Sequence, residues 1–390
     1  MKRLIYLDNS ATTRICQEAL TKYNEVSLST YGNPSSLHTM GFDAEKEIKQ
    51  ARRLICDSLA DKDATVIFTA SGSEANNLAI MGRAYSKERY KRGAKIITTE
   101  GEHASVNEPL KRLEQSGFKV AYIPTREGKI DLDALRKELT PDVILVTAMM
   151  VNNETGALYD IKSVSSLVHS ACPDAILHVD ATQSYLKMPI SIRELKIDMI
   201  TLSSHKIEGP KGVGALVVGS CVIKTKGISP IIFGGGQEDG LRSGTENVPG
   251  IAAFGAAVKR GVSTLSKNRE HLEELRDYLV KKLTRVPVLA EISITNPTSH
   301  APHILNVTLP SIKSETMLHY LSSEGIFVSS GSACSSNSRH VSSALIAYGR
   351  SEREADSSIR ISFSPENTRE DVDALCDALC EGLKRLARIR

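Results

Sequence analysis

The sequence predicts an α/β protein, a mostly parallel seven-stranded sheet flanked by helices, with a smaller α+β region at its C-terminal end. Two observations carry this. Short apolar, β-rich runs alternate with helical stretches through the first two-thirds of the chain, the signature of parallel strands covered on both faces. A nearly unbroken helical pattern from Pro249 to about Leu283 then suits a long connecting helix, beyond which the alternation becomes irregular.

Taken in order, the candidate strands are Thr65–Thr69, Lys95–Thr98, Lys119–Ile123, Val143–Ala148, Ile176–Asp180, Asp198–Leu202 and Val213–Val218. Helical patterns fill most gaps, as in Glu74–Tyr90, Ala104–Gln115 and Ile161–Ala171. Only a short turn separates the last two strands, which suits an antiparallel pair. After the long helix come strand-like Glu291–Thr295 and Ile304–Leu309, helix Ser314–Ser323, strand-like Ile326–Ser329, strand Ile359–Ser362 and a final helix Arg369–Arg388. The expected division is a large domain over 16–255 and a small domain formed by 1–15 with 256–390. The first fifteen residues are expected to pack with the small domain or to line the site.

Bulk properties exclude several classes. The chain has 390 residues, 41% hydrophobic and 24% charged, with a net charge of +3. That balance is ordinary for a globular protein and too weak to argue for nucleic acid or a membrane surface. No stretch approaches the roughly 18 apolar residues of a membrane-spanning helix. The first residues lack a signal-like apolar region, so the cytoplasm is the expected location. Seven cysteines are scattered without a CxxC pair, which signals neither a zinc site nor a disulfide framework. Cys376 and Cys380, four apart on a helical pattern, read as core packing.

The most informative stretch is Ser203-Ser204-His205-Lys206-Ile207-Glu208-Gly209-Pro210-Lys211-Gly212. It holds one lysine between an apolar strand and a glycine-containing turn. A lysine poorly solvated at such a junction can lose a proton and attack a carbonyl, the chemistry of a Schiff-base lysine, whose usual partner is an aldehyde cofactor such as pyridoxal phosphate. Taken alone, most lysines are simply solvated.

Other stretches point the same way. Thr69-Ala70-Ser71-Gly72-Ser73-Glu74 follows a strand and opens a helix, where backbone N–H groups and hydroxyls suit a phosphate, although a plain N-cap would look the same. Leu177-His178-Val179-Asp180 ends a strand on an acid that could pair with a pyridinium nitrogen or equally cap the next helix. The amides of Val151-Asn152-Asn153-Glu154-Thr155-Gly156 suit a ring hydroxyl, and His103, in Glu102-His103, could stack on a flat cofactor and shuttle protons. The loop Gly234–Thr245 offers backbone donors, Arg242 and hydroxyls to an anion. Finally, Ser329–Ser338 is a small-residue loop with Cys334 inside it, a candidate nucleophile. Each reading has a bland alternative; their coincidence at strand ends does not.

Together these motifs, with Tyr6-Leu7-Asp8-Asn9-Ser10-Ala11-Thr12-Thr13, Gly32-Asn33-Pro34-Ser35-Ser36-Leu37-His38 and Arg360-Ile361-Ser362-Phe363-Ser364-Pro365-Glu366-Asn367-Thr368, make the chain resemble a cysteine desulfurase. That is a pyridoxal-phosphate-dependent enzyme of the class-V aminotransferase family, fold type I. The resemblance covers nearly the whole chain. It implies Lys206 as the cofactor lysine, Asp180 as the pyridinium partner and His103 as the stacking ring and the base that deprotonates the incoming thiol. Asn153 and Gln183 would bond the phenolic oxygen, and Asn153 would also face substrate. Gly72, Ser73, Ser203 and His205 would hold the phosphate, and Thr245 would reach the phosphate of a second subunit in a homodimer. Arg360, helped by Asn33 or a neighbour, would bind the carboxylate of L-cysteine. Cys334 would accept the sulfur as a persulfide, leaving alanine, and pass it to an acceptor protein such as an iron–sulfur scaffold or a tRNA-thiolation enzyme. No resident metal is implied; at most Cys334 would touch a transient iron–sulfur cargo.

The departures from the family pattern are Ser73 for threonine, Ser204 for the glycine of Ser-Gly-His-Lys, and His340-Val341-Ser342-Ser343 for Glu-Pro-Ser-His. The last bears on the cysteine loop's mobility and choice of acceptor. Selenocysteine lyase chemistry on the same scaffold, or a non-catalytic sulfur-trafficking platform, are the alternatives; a transaminase would have no use for the Cys334 loop.

Overall fold

The computed structural model describes residues 4–86, 94–310, 312–330 and 341–386. Cys334, His340 and the far ends of the helices expected to reach Tyr90 and Arg388 lie outside the described residues.

The chain opens with a two-residue strand, β1 (Ile5–Tyr6), and then builds the large sheet from β2 (Thr65–Thr69), β3 (Lys95–Thr99), β4 (Lys119–Ile123), β5 (Val143–Met149), β6 (Ile176–Asp180), β7 (Met199–Ser203) and β8 (Gly214–Val218). Their spatial order is β2-β8-β7-β6-β5-β3-β4. All neighbours run parallel except β8, which is antiparallel to both β7 and β2. The ten-residue lysine turn between β7 and β8 is too short for a parallel crossover, so the chain must reverse. Every residue of β5, β6, β7 and β8 is buried, which is why these segments read as continuous apolar runs rather than alternating ones.

Two helices that the strand-centred reading did not single out, Gln17–Ser29 and Thr39–Ser58, lie against the N-terminal half of the long helix Val248–Arg285. In the second of them Ala44, Ile48, Ala51 and Ile55 recur at helical spacing and are buried. Close approach is bought by small residues: a Cβ on Gly255 would sit 3.0 Å from Ala51 Cβ. The long helix starts at Asn247, whose side chain accepts from Gly250 N at 3.1 Å, with Pro249 in its first turn.

The remaining strands are β9 (Ser293–Thr295), β10 (Ile304–Thr308), β11 (Ile326–Phe327), β12 (Ser329–Ser330) and β13 (Ser358–Ser362). An antiparallel sheet in the order β12-β13-β10-β9 packs on the helices Ser314–Ser323 and Arg369–Leu386, while β1 pairs with β11. The run expected over Ile326–Ser329 is therefore two short strands in different sheets. Ile5 and Leu7 join the hydrophobic cluster of this second sheet, and Cys376 lies in it with Cys380 packed alongside. Asp8, Ser10 and Ala11, immediately after, line the cavity described next. No helix among the described residues is long and apolar enough to cross a membrane.

Candidate active site

The C-terminal ends of the parallel strands surround a cavity of about 460 Å³. This is where open α/β sheets place ligands, because the strands stop there and their connections diverge. The cavity receives Met149 from β5, Asp180 from β6 and Ser203 from β7, with His103 from the turn after β3 and Ser71, Gly72 and Ser73 from the turn after β2. Arg360 and Ser329 enter from the antiparallel sheet.

Lys206 ends a short 3-10 turn, Ser204–Lys206, that leaves β7. Its ammonium donates to the backbone carbonyls of Ser10 and, at 2.8 Å, of Ala11. Gln183 Nε2 donates to the same Ser10 carbonyl at 2.9 Å. The serine that stands in place of a glycine, Ser204, is fully buried, and its hydroxyl has no partner among the described residues. It fits because Gly209 has no side chain: a Cβ there would lie 2.1 Å from Ser204 Oγ.

Asp180 holds its carboxylate at the cavity floor through two donors, Thr182 N at 2.9 Å and Asn76 Nδ2 at 2.8 Å. Asn76 Nδ2 also donates to Ser105 Oγ at 2.8 Å, and Ser105 Oγ lies 2.8 Å from His103 Nδ1. Ser105 N donates to the same ring nitrogen at 3.1 Å, so His103 caps the helix Ala104–Gln115. Burial lowers the pKa of His103, with Lys206 and Arg360 adding to the effect against the pull of Asp180, so the ring is neutral at neutral pH. With Nδ1 accepting, its proton resides on Nε2. Burial likewise pushes His205 down to about 4, reinforced by Lys206 and Lys211. Its Nδ1 lies 3.1 Å from Thr12 Oγ1.

On the opposite wall, Arg360 donates to Asp8 Oδ1 at 2.7 Å and to the Asn153 carbonyl at 2.9 Å, while its buried Nε has no partner among the described residues. The helix Gly72–Tyr85 begins with Ser71, whose hydroxyl accepts from Glu74 N, and Glu74 returns a bond to Ala70 N. A Cβ on Gly72 would press on Ser203 Cβ at 3.2 Å and Thr182 Oγ1 at 3.3 Å. The bare glycine thus leaves a small cradle at a positive helix end.

The structure therefore gathers Lys206, His103, Gly72, Ser73, Asn153, Asp180, Gln183, Ser203, His205 and Arg360 around one cavity. It does not bring Asn33 there: that side chain is exposed and accepts from Ser35 N. Thr245 lies in a neighbouring hollow of about 250 Å³. Arg242, expected to meet an anion, is held by the carboxylate of Glu74 at 2.8 Å. Sequence reasoning assigned no individual role to Asn76, Ser105, Asp8 or Ser10. The spacing of Asn76 from Ser71 on a helix that opens at the site is the one signal that could have found it; the others become visible only in three dimensions.

Comparison with known proteins follows the same lines. Residues 5–375 match the Aminotransferase class-V family. The chain is 37% identical over 391 residues to the cysteine desulfurase IscS of Dictyoglomus turgidum, covering 100% of this chain and 97% of that protein. It is 35% identical to the cysteine desulfurase IscS of Methanosarcina thermophila, covering 98% and 93% respectively. Among solved structures, a NifS-like protein superposes with a TM-score of 0.89 at 35% identity, covering 98% of this chain and all of the other. SspA in complex with cysteine superposes with a TM-score of 0.78 at 32% identity, covering 94% of this chain and all of the other.

Proposed function

The chain belongs to the class-V aminotransferase family, among its cysteine desulfurases, and from that premise we propose that it binds pyridoxal phosphate and moves sulfur from L-cysteine to Cys334. The observation that carries the reading is the convergence of Lys206, Asp180, His103 and Arg360 on one cavity at the parallel strand ends.

The residues present fit the cofactor part by part. The Gly72 cradle with Ser73, Ser203 and His205 suits its phosphate. Asp180, its carboxylate already oriented by Asn76 and Thr182, suits the ring nitrogen, while Asn153 and Gln183 suit the phenolic oxygen. His103 would cover the ring and Lys206 would hold the aldehyde carbon. Bound there, pyridoxal phosphate supplies an electron sink for negative charge at the substrate's α-carbon.

The chain's own groups then do the rest. Arg360 binds the substrate carboxylate, using donors now turned to Asp8 and to the Asn153 carbonyl. Lys206 takes the α-proton. The Cys334 thiolate attacks the substrate sulfur: an S–S bond forms, the C–S bond breaks, and its electron pair ends as a C–H bond of alanine. His103, with its proton on Nε2, meets the substrate as a donor; acting as the base for the incoming thiol requires that proton to move to Nδ1 and the Ser105 N–H bond to yield. Cys334 lies outside the described residues, but its flanks support the role. Ser329 lines the cavity, and Ser342 donates to Glu154, the neighbour of Asn153.

A homodimer completes the reading. Thr245 sits on an exposed loop with Phe233, 82% exposed, and would serve the cavity of a second copy. The sulfur would pass on to an acceptor protein, an iron–sulfur scaffold or a thiolation enzyme.

The test is alanine release from L-cysteine by purified wild type and by Lys206→Ala. Alanine formation by wild type and a loss of about 10²–10⁴-fold in the variant support the reading. No alanine from wild type, or undiminished turnover by the variant, would overturn it.

A further inference from the structure

Beside His103 lies a buried acid that the reaction does not use. Glu102 is 2% exposed and spans two strand ends. Its Oε1 accepts from Thr99 Oγ1 of β3 at 2.5 Å and from Met149 N of β5 at 2.9 Å. Its Oε2 is buried with no partner among the described residues. The same turn is tied at two further points: Asn152 Nδ2 donates to the Gly101 carbonyl at 3.0 Å, and Asn107 Nδ2 to the Glu102 carbonyl at 2.8 Å. Met149 itself lines the cavity and pairs with Asp180 across β5 and β6. Glu102 thus connects the turn that presents His103 with the strand ends that present Asp180.

We propose that Glu102 is a positioning residue: as a neutral carboxylic acid it fastens the end of β3 to the end of β5 and so sets where His103 enters the cavity. An ionised carboxylate here would leave charge on an oxygen that no donor among the described residues reaches, which is costlier than an undissociated acid. Among the described residues, the groups facing it give it no cation. Asp180 on β6 is an acid, the Tyr159 hydroxyl stands beside Gly101, and His103 is neutral. Burial accordingly raises the Glu102 pKa to about 8, with Asp180 adding to the rise. The inference rests on the reading of His103 above only for its catalytic consequence; the bond across the strand ends stands without it.

The experiment compares wild type with Glu102→Gln, which keeps the shape and Oε1 of the neutral acid, and with Glu102→Ala. The first readout is thermal stability against pH. Between about 4.5 and 8 the native chain keeps a proton on Glu102 that the unfolded chain has released, so wild type should lose stability relative to Glu102→Gln as pH rises through that window. A gap that does not change with pH overturns the neutral-acid claim. The second readout is kinetic. Glu102→Ala should lower kcat by about 10²-fold with KM unchanged, as displacement of a reacting group does, while Glu102→Gln keeps wild-type kcat at neutral pH. Wild-type kcat in a folded Glu102→Ala, or loss of kcat in Glu102→Gln, overturns the positioning role. Should the alanine variant not fold, the glutamine variant still exposes both points to refutation, through a stability gap that does not change with pH or through a loss of kcat. Absence of alanine formation by wild type would defeat the proposed function instead, leaving the stability readout intact.

Discussion

His103 and Asp180 are joined by an unbroken chain of hydrogen bonds through Ser105 and Asn76, each link 2.8 Å long. The side chain proposed to cover one face of the cofactor and the one proposed to meet its ring nitrogen are therefore not independent. Asn76 spends both amide protons on this relay, one on the serine hydroxyl and one on the carboxylate. The serine, accepting from Asn76, turns its own proton to Nδ1 and keeps the histidine proton on Nε2.

Asn76→Ala should remove a donor from the buried Asp180 carboxylate and a support from His103 together. The expected cost is about 1–3 kcal/mol of stability, the penalty for a buried acceptor left short of a partner. Denaturant unfolding checks the stability. The same variant should hold the cofactor less firmly on dialysis, read from its visible absorbance.

Arg360→Lys tests substrate recognition. The guanidinium now divides its donors between Asp8 Oδ1 and the Asn153 carbonyl, two acceptors on different segments that a single ammonium cannot span in the same way. Losing a charge-assisted bond to the substrate carboxylate is worth about 1.5–3 kcal/mol, a rise of roughly 10–150-fold in KM. Steady-state kinetics with L-cysteine measures it, and kcat should fall less than KM rises.

Acid should weaken the fold through its buried histidines. His178, fully buried between Thr147 and Thr201 on β5 and β7, is pushed by burial down to about 4. Its folded pKa is depressed, so the native state is favoured above about 6.5 and that advantage is lost as pH falls towards 4. The contribution is ~3 kcal/mol by order of magnitude. Thermal melting between those limits should show the loss in wild type and a flatter profile in His178→Gln.

Much of this was legible in the sequence, for identifiable reasons. β5 to β8 are buried along their whole length, so their apolar runs stand out against the helices between them. Lys206, Asp180 and Gly72 were legible because each sits where a strand or helix changes direction. The helix Thr39–Ser58 is less legible than the strands, because its buried residues Ala44, Ile48, Ala51 and Ile55 are spread at three- and four-residue spacing instead of forming one apolar run. Ser10 and Asp8 were harder. They act through a backbone carbonyl and an ion pair with a residue more than 350 positions away, and neither relation leaves a local pattern.

The central claim is that the sulfur of L-cysteine comes to rest on Cys334. Mass spectrometry of the cofactor-loaded protein after a single exposure to L-cysteine tests it most directly. The account predicts one added sulfur atom on the peptide containing Cys334, removable by a thiol reductant and matched by alanine in solution. The added sulfur should be absent from Cys334→Ala and from Lys206→Ala. Alanine formation at wild-type rate by Cys334→Ala, or sulfur found on another cysteine while Cys334 stays unmodified, would contradict it.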